Sequence, residues 1–278
     1  VNRRTVRRIK SNVMVGLLVV AVVVAVLPLL LILGTLVAKG ASSLNLDFFI
    51  RPSRPVGEPG GGVAHAVVGT LMMVGMAGLI GLPIGIGAGM YAAEYPGSRL
   101  TLVTRFIADV MNGTPSIVVG VFAWTWIVAH RGGFSGYAGS IALAMIMIPM
   151  VMRTTEEMIK LVPHSLREAA LALGYPRWRT SLVVVARTSL PGIVTGSLLA
   201  VARVSGETAP LLFTALGSQF MSTDLREPMA ALPLTVFTYA TGPYEEWHRL
   251  AWATALVLIL VVLLLSLAAR WATRERFE

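Results

Sequence analysis

The chain reads as an all-α polytopic membrane protein with six transmembrane helices, and three observations predict it. Its 278 residues are 55% hydrophobic and only 13% charged, with a mean hydropathy of +0.75, which excludes an ordinary soluble domain of this length. Uncharged stretches run over 11–38, 66–93, 110–129, 132–152 and 250–269, each near or above the roughly 20 residues that a spanning helix requires. A sixth apolar stretch, about 188–216, is interrupted by Arg203 and Glu207. The third observation is the placement of Lys and Arg. With the N-terminus on the cytoplasmic side, 16 of 23 fall inside, six fall outside, and Arg203 stays within the fifth span. An even number of spans then puts both termini in the cytoplasm.

The elements follow in order. Residues 1–10 form a basic tail and 11–38 the first span, whose apolar core far exceeds the h-region of a signal peptide. Residues 39–64 form an external loop; its part 51–62, with Pro52, Pro55, Pro59 and Gly60-Gly61-Gly62, reads as irregular and flexible. A five-helix core then occupies 65–271, with a cytoplasmic loop at about 153–187, an external loop at about 217–248, and a tail at 272–278. In the second span Gly81, Gly85 and Gly89 recur every four residues, a ladder that lets helix backbones approach closely. Set inside an apolar span, it is no phosphate loop, and the chain has no G-x-x-x-x-G-K-[ST] sequence. ATP-driven work would need another subunit. In the third span Pro115 predicts a kink or unwinding. In the external loop, 229–240 is too short to cross and contains Pro233, which predicts a short interfacial helix or re-entrant turn with Tyr239, Tyr244, Trp247 and Trp252 as an aromatic belt.

The cytoplasmic loop carries the most specific local grammar. Ser165 and Glu168 form an S-x-x-E capping box, Gly174 can end the helix, and Pro176 prevents its continuation. Leu166, Ala169, Ala170 and Leu173 fall at i, i+3, i+4 and i+7, an apolar stripe flanked by Arg167 and Arg177. Such a short amphipathic helix on the basic side of a membrane protein is suited to docking a soluble partner. In this reading Glu168 is the reciprocal cap of Ser165, not a reactive acid.

Catalytic and metal chemistry find no support. The chain has no cysteine, and His65, His130, His164 and His248 lie far apart with no ligand spacing. Ser116 has no base at membrane depth. The net charge of +9 reflects topology, not nucleic acid. Arg203 and Glu207, four apart, should share a helix face, and each costs about 2.5–3.5 kcal/mol at mid-bilayer. Together with Thr208 they suggest a polar lining for a charged substrate's path. Arg153 ends the fourth span and either joins that path or snorkels to the headgroups. Glu156 and Glu157 read as a solvated surface, although either could balance Arg153.

These residues carry a resemblance. Glu168-Ala169-Ala170-x-x-x-Gly174 resembles the signature loop of permease subunits of bacterial ABC importers, whose short helix docks into a groove on the ATPase. More narrowly, Gly113-Thr114-Pro115-Ser116-Ile117-Val118-Val119-Gly120, Arg153-Thr154-Thr155-Glu156-Glu157 and Ala202-Arg203-Val204-Ser205-Gly206-Glu207-Thr208-Ala209-Pro210-Leu211-Leu212 are similar to the PstA-type phosphate permeases. The chain departs from the family at Ala186-Arg187, where a Leu-Pro pair is common, and keeps the later Leu190-Pro191.

The resemblance implies a type I, MetI-like permease of the bacterial plasma membrane. Its implied partners are a homologous second permease, two ATPase subunits that use ATP and Mg, and an external phosphate-binding protein, with the lipid bilayer around it and no cofactor in this chain. It assigns coupling to Ser165, Glu168, Ala169, Ala170 and Gly174, and the substrate pathway to Arg203, Glu207, Arg153 and Thr208. Arginine suits oxyanions because its planar fork donates to two oxygens at once. Glu207 could favour hydrogen phosphate, which has a proton to donate, over sulfate, which has none at neutral pH. The competing readings are a permease for sulfate or molybdate, an ion-coupled secondary transporter with paired broken helices, and a signalling scaffold.

Overall fold

A computed structural model describes residues 3–54 and 60–274, and every regular element of any length among them is helical. In chain order these are α1 (Arg3–Gly40), a 3-10 turn (Ala41–Ser43), α2 (Leu46–Ile50), α3 (Ala64–Glu94), α4 (Arg99–Gly113), α5 (Ser116–Ala123), a π-helical turn (Trp124–Val128) and α6 (Ala129–Arg131). Then come α7 (Gly136–Lys160), α8 (His164–Ala172), α9 (Arg177–Arg179), a second π-helical segment (Thr180–Val185), α10 (Ala186–Val204), α11 (Ala209–Thr214), α12 (Leu232–Thr241) and α13 (Glu245–Arg274). Five of these are long and apolar enough to cross a membrane; α4 with α5 and α6 makes a sixth if that bent pair is one span. The helix of α1 runs back through the basic tail. The expected flexible loop over 51–62 falls partly on 55–59, outside the described residues, while its edges are tied: Gly62 N donates to Pro52 O at 3.0 Å and Val63 N to Phe48 O at 2.8 Å.

The core forms where the glycine ladder of α3 meets α7. A methyl group on Gly81 would stand 3.1 Å from Met147 Sδ, on Gly85 2.8 Å from Val151 Cβ, and on Gly89 2.5 Å from Met152 O. Three bare positions on one face let the two helices close on each other over about two turns. The seam extends into a buried cluster of Met73, Ala77, Leu143, Met147 and Val151, joined by Ala200 and Val204 of α10 and Leu211 of α11. Helix α10 closes on α7 by the same device, since a methyl on Gly196 would meet Thr154 Cβ at 2.8 Å. By contrast α1 is apolar on all sides and uncovered within this chain, touching α13 near its C-terminal end, where Lys39 lies 4.9 Å over the Trp252 ring.

Two expected spans are interrupted. The stretch 110–129 is not one helix: α4 and α5 meet at 107° around Thr114-Pro115. Proline lacks the N–H that would continue the ladder and forces the preceding residue out of the helical region, so Thr114 is extended at φ −79°, ψ 131°. The fifth span likewise stops at Val204, not near 216. Residues 205–208 form a turn between α10 and α11, and Pro210, in the first turn of α11, has no N–H with which to continue the α10 ladder.

The outer helix expected in 229–240 is α12, with Pro233 in its first turn. Tyr239 is a correction to the expected aromatic belt. It is buried, stacked on Trp247 at 5.0 Å between ring centres, and burial pushes its hydroxyl pKa up.

The seam can be tested within one helix. Gly89→Ala places a methyl against the Met152 carbonyl, whereas Gly87→Ala meets nothing within 4 Å. The thermal midpoint of detergent-purified protein should fall for Gly89→Ala and hold or rise for Gly87→Ala, by the roughly 0.5–1 kcal/mol that glycine costs a helix. Equal behaviour would remove the close-packing explanation.

Candidate functional site

Three groups of polar residues interrupt the apolar body. The first surrounds the loop after α7. Helix α8 begins at His164 with Pro163 at its N-cap and no side-chain cap, so the expected Ser165–Glu168 capping box does not form. Pro163 supplies a fixed φ of −57° ahead of the first turn, and Ser165 already lies inside the helix. The C-terminal signal does take its expected form. Gly174 has φ +84°, its N–H bonds Leu171 O at 2.9 Å, and Tyr175 N–H bonds Ala170 O at 3.2 Å, the paired bonds of a Schellman cap. Ala170 is buried, whereas Leu166, Leu171, Leu173 and Glu168 face outward. Arg167 does not merely flank the stripe. It pairs with Glu94 at the end of α3 and donates from Nη2 to Ile159 O at 3.1 Å.

The second group lies between α4 and α7. Arg105 and Asp109 are four apart on α4; Arg153 and Glu156 are three apart on α7, so each pair shares a face. The two faces oppose with matched signs. Arg105 reaches Glu156 at 2.5 Å, Asp109 takes the Arg153 guanidinium through both Nε and Nη2, and Arg153 also lies 3.6 Å from Glu156. Lys160 closes on Glu156 at 2.5 Å from the next turn. Glu156 is thus no solvated surface: it is 1% exposed, and three cations offset the cost of burying its charge. Arg153 does not stand free, because Asp109 and Glu156 hold it.

The third group sits at the break between α10 and α11. Arg203 is in the last turn of α10 and Glu207 lies beyond it, so they do not share a helix face as the spacing alone implied. The turn brings them to 3.9 Å nevertheless, a loose ion pair with Arg203 65% exposed and Glu207 16%. The backbone donors of the turn are already used: Ser205 N–H goes to Val201 O, Gly206 N–H to Arg203 O, and Glu207 N–H to Val204 O, all at 3.0–3.1 Å. Thr208 is the N-cap of α11, yet its hydroxyl makes no capping bond.

The two helix breaks are neighbours in space. A methyl on Gly120 of α5 would stand 2.6 Å from Pro210 Cα of α11, so the segments following Pro115 and Glu207 pack backbone to backbone. Arg153 is not part of that junction. Gly196 packs beside Thr154, and Arg203 is seven residues further along α10, about 10 Å at 1.5 Å per residue. The structure thus joins Arg203 with Glu207 and places Arg153 in a separate cluster. Asp109, Arg105 and Glu94 were not singled out from the sequence, although the i, i+4 pair on α4 facing the i, i+3 pair on α7 was a readable signal.

Comparison with known proteins adds an independent line. Residues 85–276 match the profile of a family described as "Binding-protein-dependent transport system inner membrane component". The phosphate transport system permease protein PstA of Yersinia pestis is 49% identical over 265 residues, covering 95% of this chain and 90% of that protein. The PstA protein of Pasteurella multocida is 47% identical, covering 95% and 94%. A probable PstA protein of Methanocaldococcus jannaschii is 36% identical over 276 residues, covering 99% and 98%. Among solved structures, the inward-facing MetNI methionine ABC transporter superposes with a TM-score of 0.62 at 20% identity, covering 76% of this chain and 94% of that one. A bacterial ABC transporter involved in import of the acidic polysaccharide alginate gives 0.59 at 15% identity, covering 99% and 100%. At such identities the structural likeness speaks to the fold, which is that of ABC importer permeases.

Proposed function

The chain belongs to the family of binding-protein-dependent transport system inner membrane components, and within it to the PstA-type phosphate permeases; from that premise we propose that it forms half of the translocation path of an ATP-driven inorganic phosphate importer. It is a multi-pass inner-membrane transport component and not an enzyme. The observation that carries the cargo is the identity of 45–49% over 95% of the chain to phosphate permeases, together with an exposed arginine at a helix break. The remaining half of the path comes from a homologous second permease. Two ATPase subunits bind ATP and Mg on the inside, and a phosphate-binding protein delivers cargo from outside. Both termini face the ATPases, as the Lys and Arg distribution favours.

Each residue then has a physical task. Arg203 presents a planar set of donors to the oxyanion where low dielectric strengthens charge-assisted bonds. Glu207 holds Arg203 loosely while the path is empty and accepts a hydrogen bond from the hydroxyl of hydrogen phosphate when it is filled. Thr208 adds a hydroxyl. Arg153, held by Asp109 and Glu156, lies nearer the cytoplasmic ends of α7 and α10 and contributes positive charge there. The α8 helix, with Leu166, Leu171, Leu173 and Glu168 outward and Gly174 fixing its end, docks into the ATPase.

Inside-out vesicles test the cargo site. Arg203→Gln should lower phosphate transport by about tenfold or more, the loss of a charge-assisted hydrogen bond, with Arg203→Lys only partly restoring it because one ammonium cannot reproduce the fork. Glu207→Gln should erode discrimination against sulfate. If Glu207→Gln leaves the phosphate preference untouched, selectivity resides in the external binding protein alone.

The docking role has its own test. Gly174→Val forces a branched side chain into a left-handed backbone, and Glu168→Lys reverses charge on the exposed surface of α8. Both should leave ATP hydrolysis uncoupled from uptake in the assembled complex. Normal coupling in both would refute the assignment of α8 to the ATPase interface.

A further inference from the structure

Resting on the ATP-coupled reading above, we infer that Glu94 is a positioning residue that ties α3 to the docking helix, so that α3, α7 and α10 respond to the ATPases as one body. The covalent chain already links α8 to two of these helices. It leaves α7 through residues 161–163 and re-enters the membrane through the π-helical segment Thr180–Val185 into α10. Helix α3 has no such connection to α8, and the main packing partner of α8 is the π-helical segment.

One carboxylate closes that gap. Glu94, the last residue of α3, gives Oε1 to the Arg167 guanidinium of α8 and Oε2 to the Ser181 hydroxyl at 2.8 Å, so its two oxygens grip residues on both sides of the Schellman cap. The Arg167 fork is shared in turn, one arm on Glu94 and the other on Ile159 O at the end of α7. Side chains of the pair are 18–19% exposed, which shields the bond from the screening that makes surface ion pairs weak. Four elements, the ends of α3 and α7, the helix α8 and the π-helical segment, therefore meet at one acid and one guanidinium.

The position of the bond sets its consequence. Glu94 lies five residues beyond Gly89, where α3 and α7 touch backbone to backbone. A displacement of α8 is thus applied to the tip of the most tightly packed helix pair in the fold. Such packed pairs do not deform smoothly, so a pull at the end is passed along the seam. Without the bond, α8 could follow the ATPase while α3 stayed behind.

The test measures phosphate imported per ATP hydrolysed, using radiolabelled phosphate and the complete complex with its ATPases and binding protein in proteoliposomes. Glu94→Gln should lower that ratio by about fivefold or more, the lower end of what a coupling free energy between sites delivers, with the complex still assembled and hydrolysing ATP. The double variant Glu94→Gln with Arg167→Gln should be no worse than Arg167→Gln alone, because the bond between the two side chains is already lost in that single variant. Arg167→Lys separates positioning from mere stability: it keeps the charge and the assembly but cannot hold Glu94 and the Ile159 carbonyl together, so its ratio should remain depressed. A wild-type ratio in assembled Glu94→Gln, or in Arg167→Lys should Glu94→Gln not assemble, overturns the inference. A wild-type complex that imports no phosphate would instead sink the transport reading on which it rests.

Discussion

The contact on which the rest of this structure depends is the backbone seam between α3 and α7. Gly81, Gly85 and Gly89 remove every side chain from one face of α3, and Met147, Val151 and Met152 of α7 fill the space. In a bilayer, where lipid is as apolar as leucine, helices associate through close packing more than through hydrophobic exclusion. The seam therefore fixes the axial register of the two most extensively packed helices in the core. From that register follow the positions of Thr154 against Gly196, which seats α10, and of Glu156 and Arg153 against the charged face of α4.

On this rigid frame the chain places its irregular backbone with economy. Prolines at 115 and 210 interrupt two spans, and the interruptions pack on one another at Gly120 and Pro210. Irregular backbone at membrane depth is tolerated where protein or a polar cavity satisfies it. Here local bonds satisfy the N–H groups of residues 205–207, and Arg203, Glu207 and Thr208 stand at the same break. The four charges between α4 and α7 do a different job. They hold a buried acid, and with it the bent arm formed by α4 and α5, against the frame.

Much of this was legible in the residues. Apolar length and Lys/Arg placement gave the helical membrane class, the four-residue glycine period gave the seam, and Gly174 gave the end of α8. What escaped had a common cause: it depended on which residues meet across helices. Ser165 and Glu168 match a capping box letter for letter, but the helix takes Pro163 as its N-cap, two residues earlier than the motif assumes. Arg203 and Glu207 have helical spacing, but the helix ends between them, at Val204. Glu156 looks like a surface acid until Arg105, from another helix, is placed beside it. Glu94 carries no local signal at all, since its partners lie 73 and 87 residues away.

The central claim is that this chain passes phosphate only as part of an ATP-driven assembly, and reconstitution addresses it most directly. The purified chain with its second permease, ATPases and phosphate-binding protein is placed in proteoliposomes, and phosphate accumulation is followed with and without ATP on the ATPase side. Accumulation should require ATP and the binding protein and persist when ionophores collapse every ion gradient. Uptake that ignores ATP and stops when the gradients collapse would contradict the central claim.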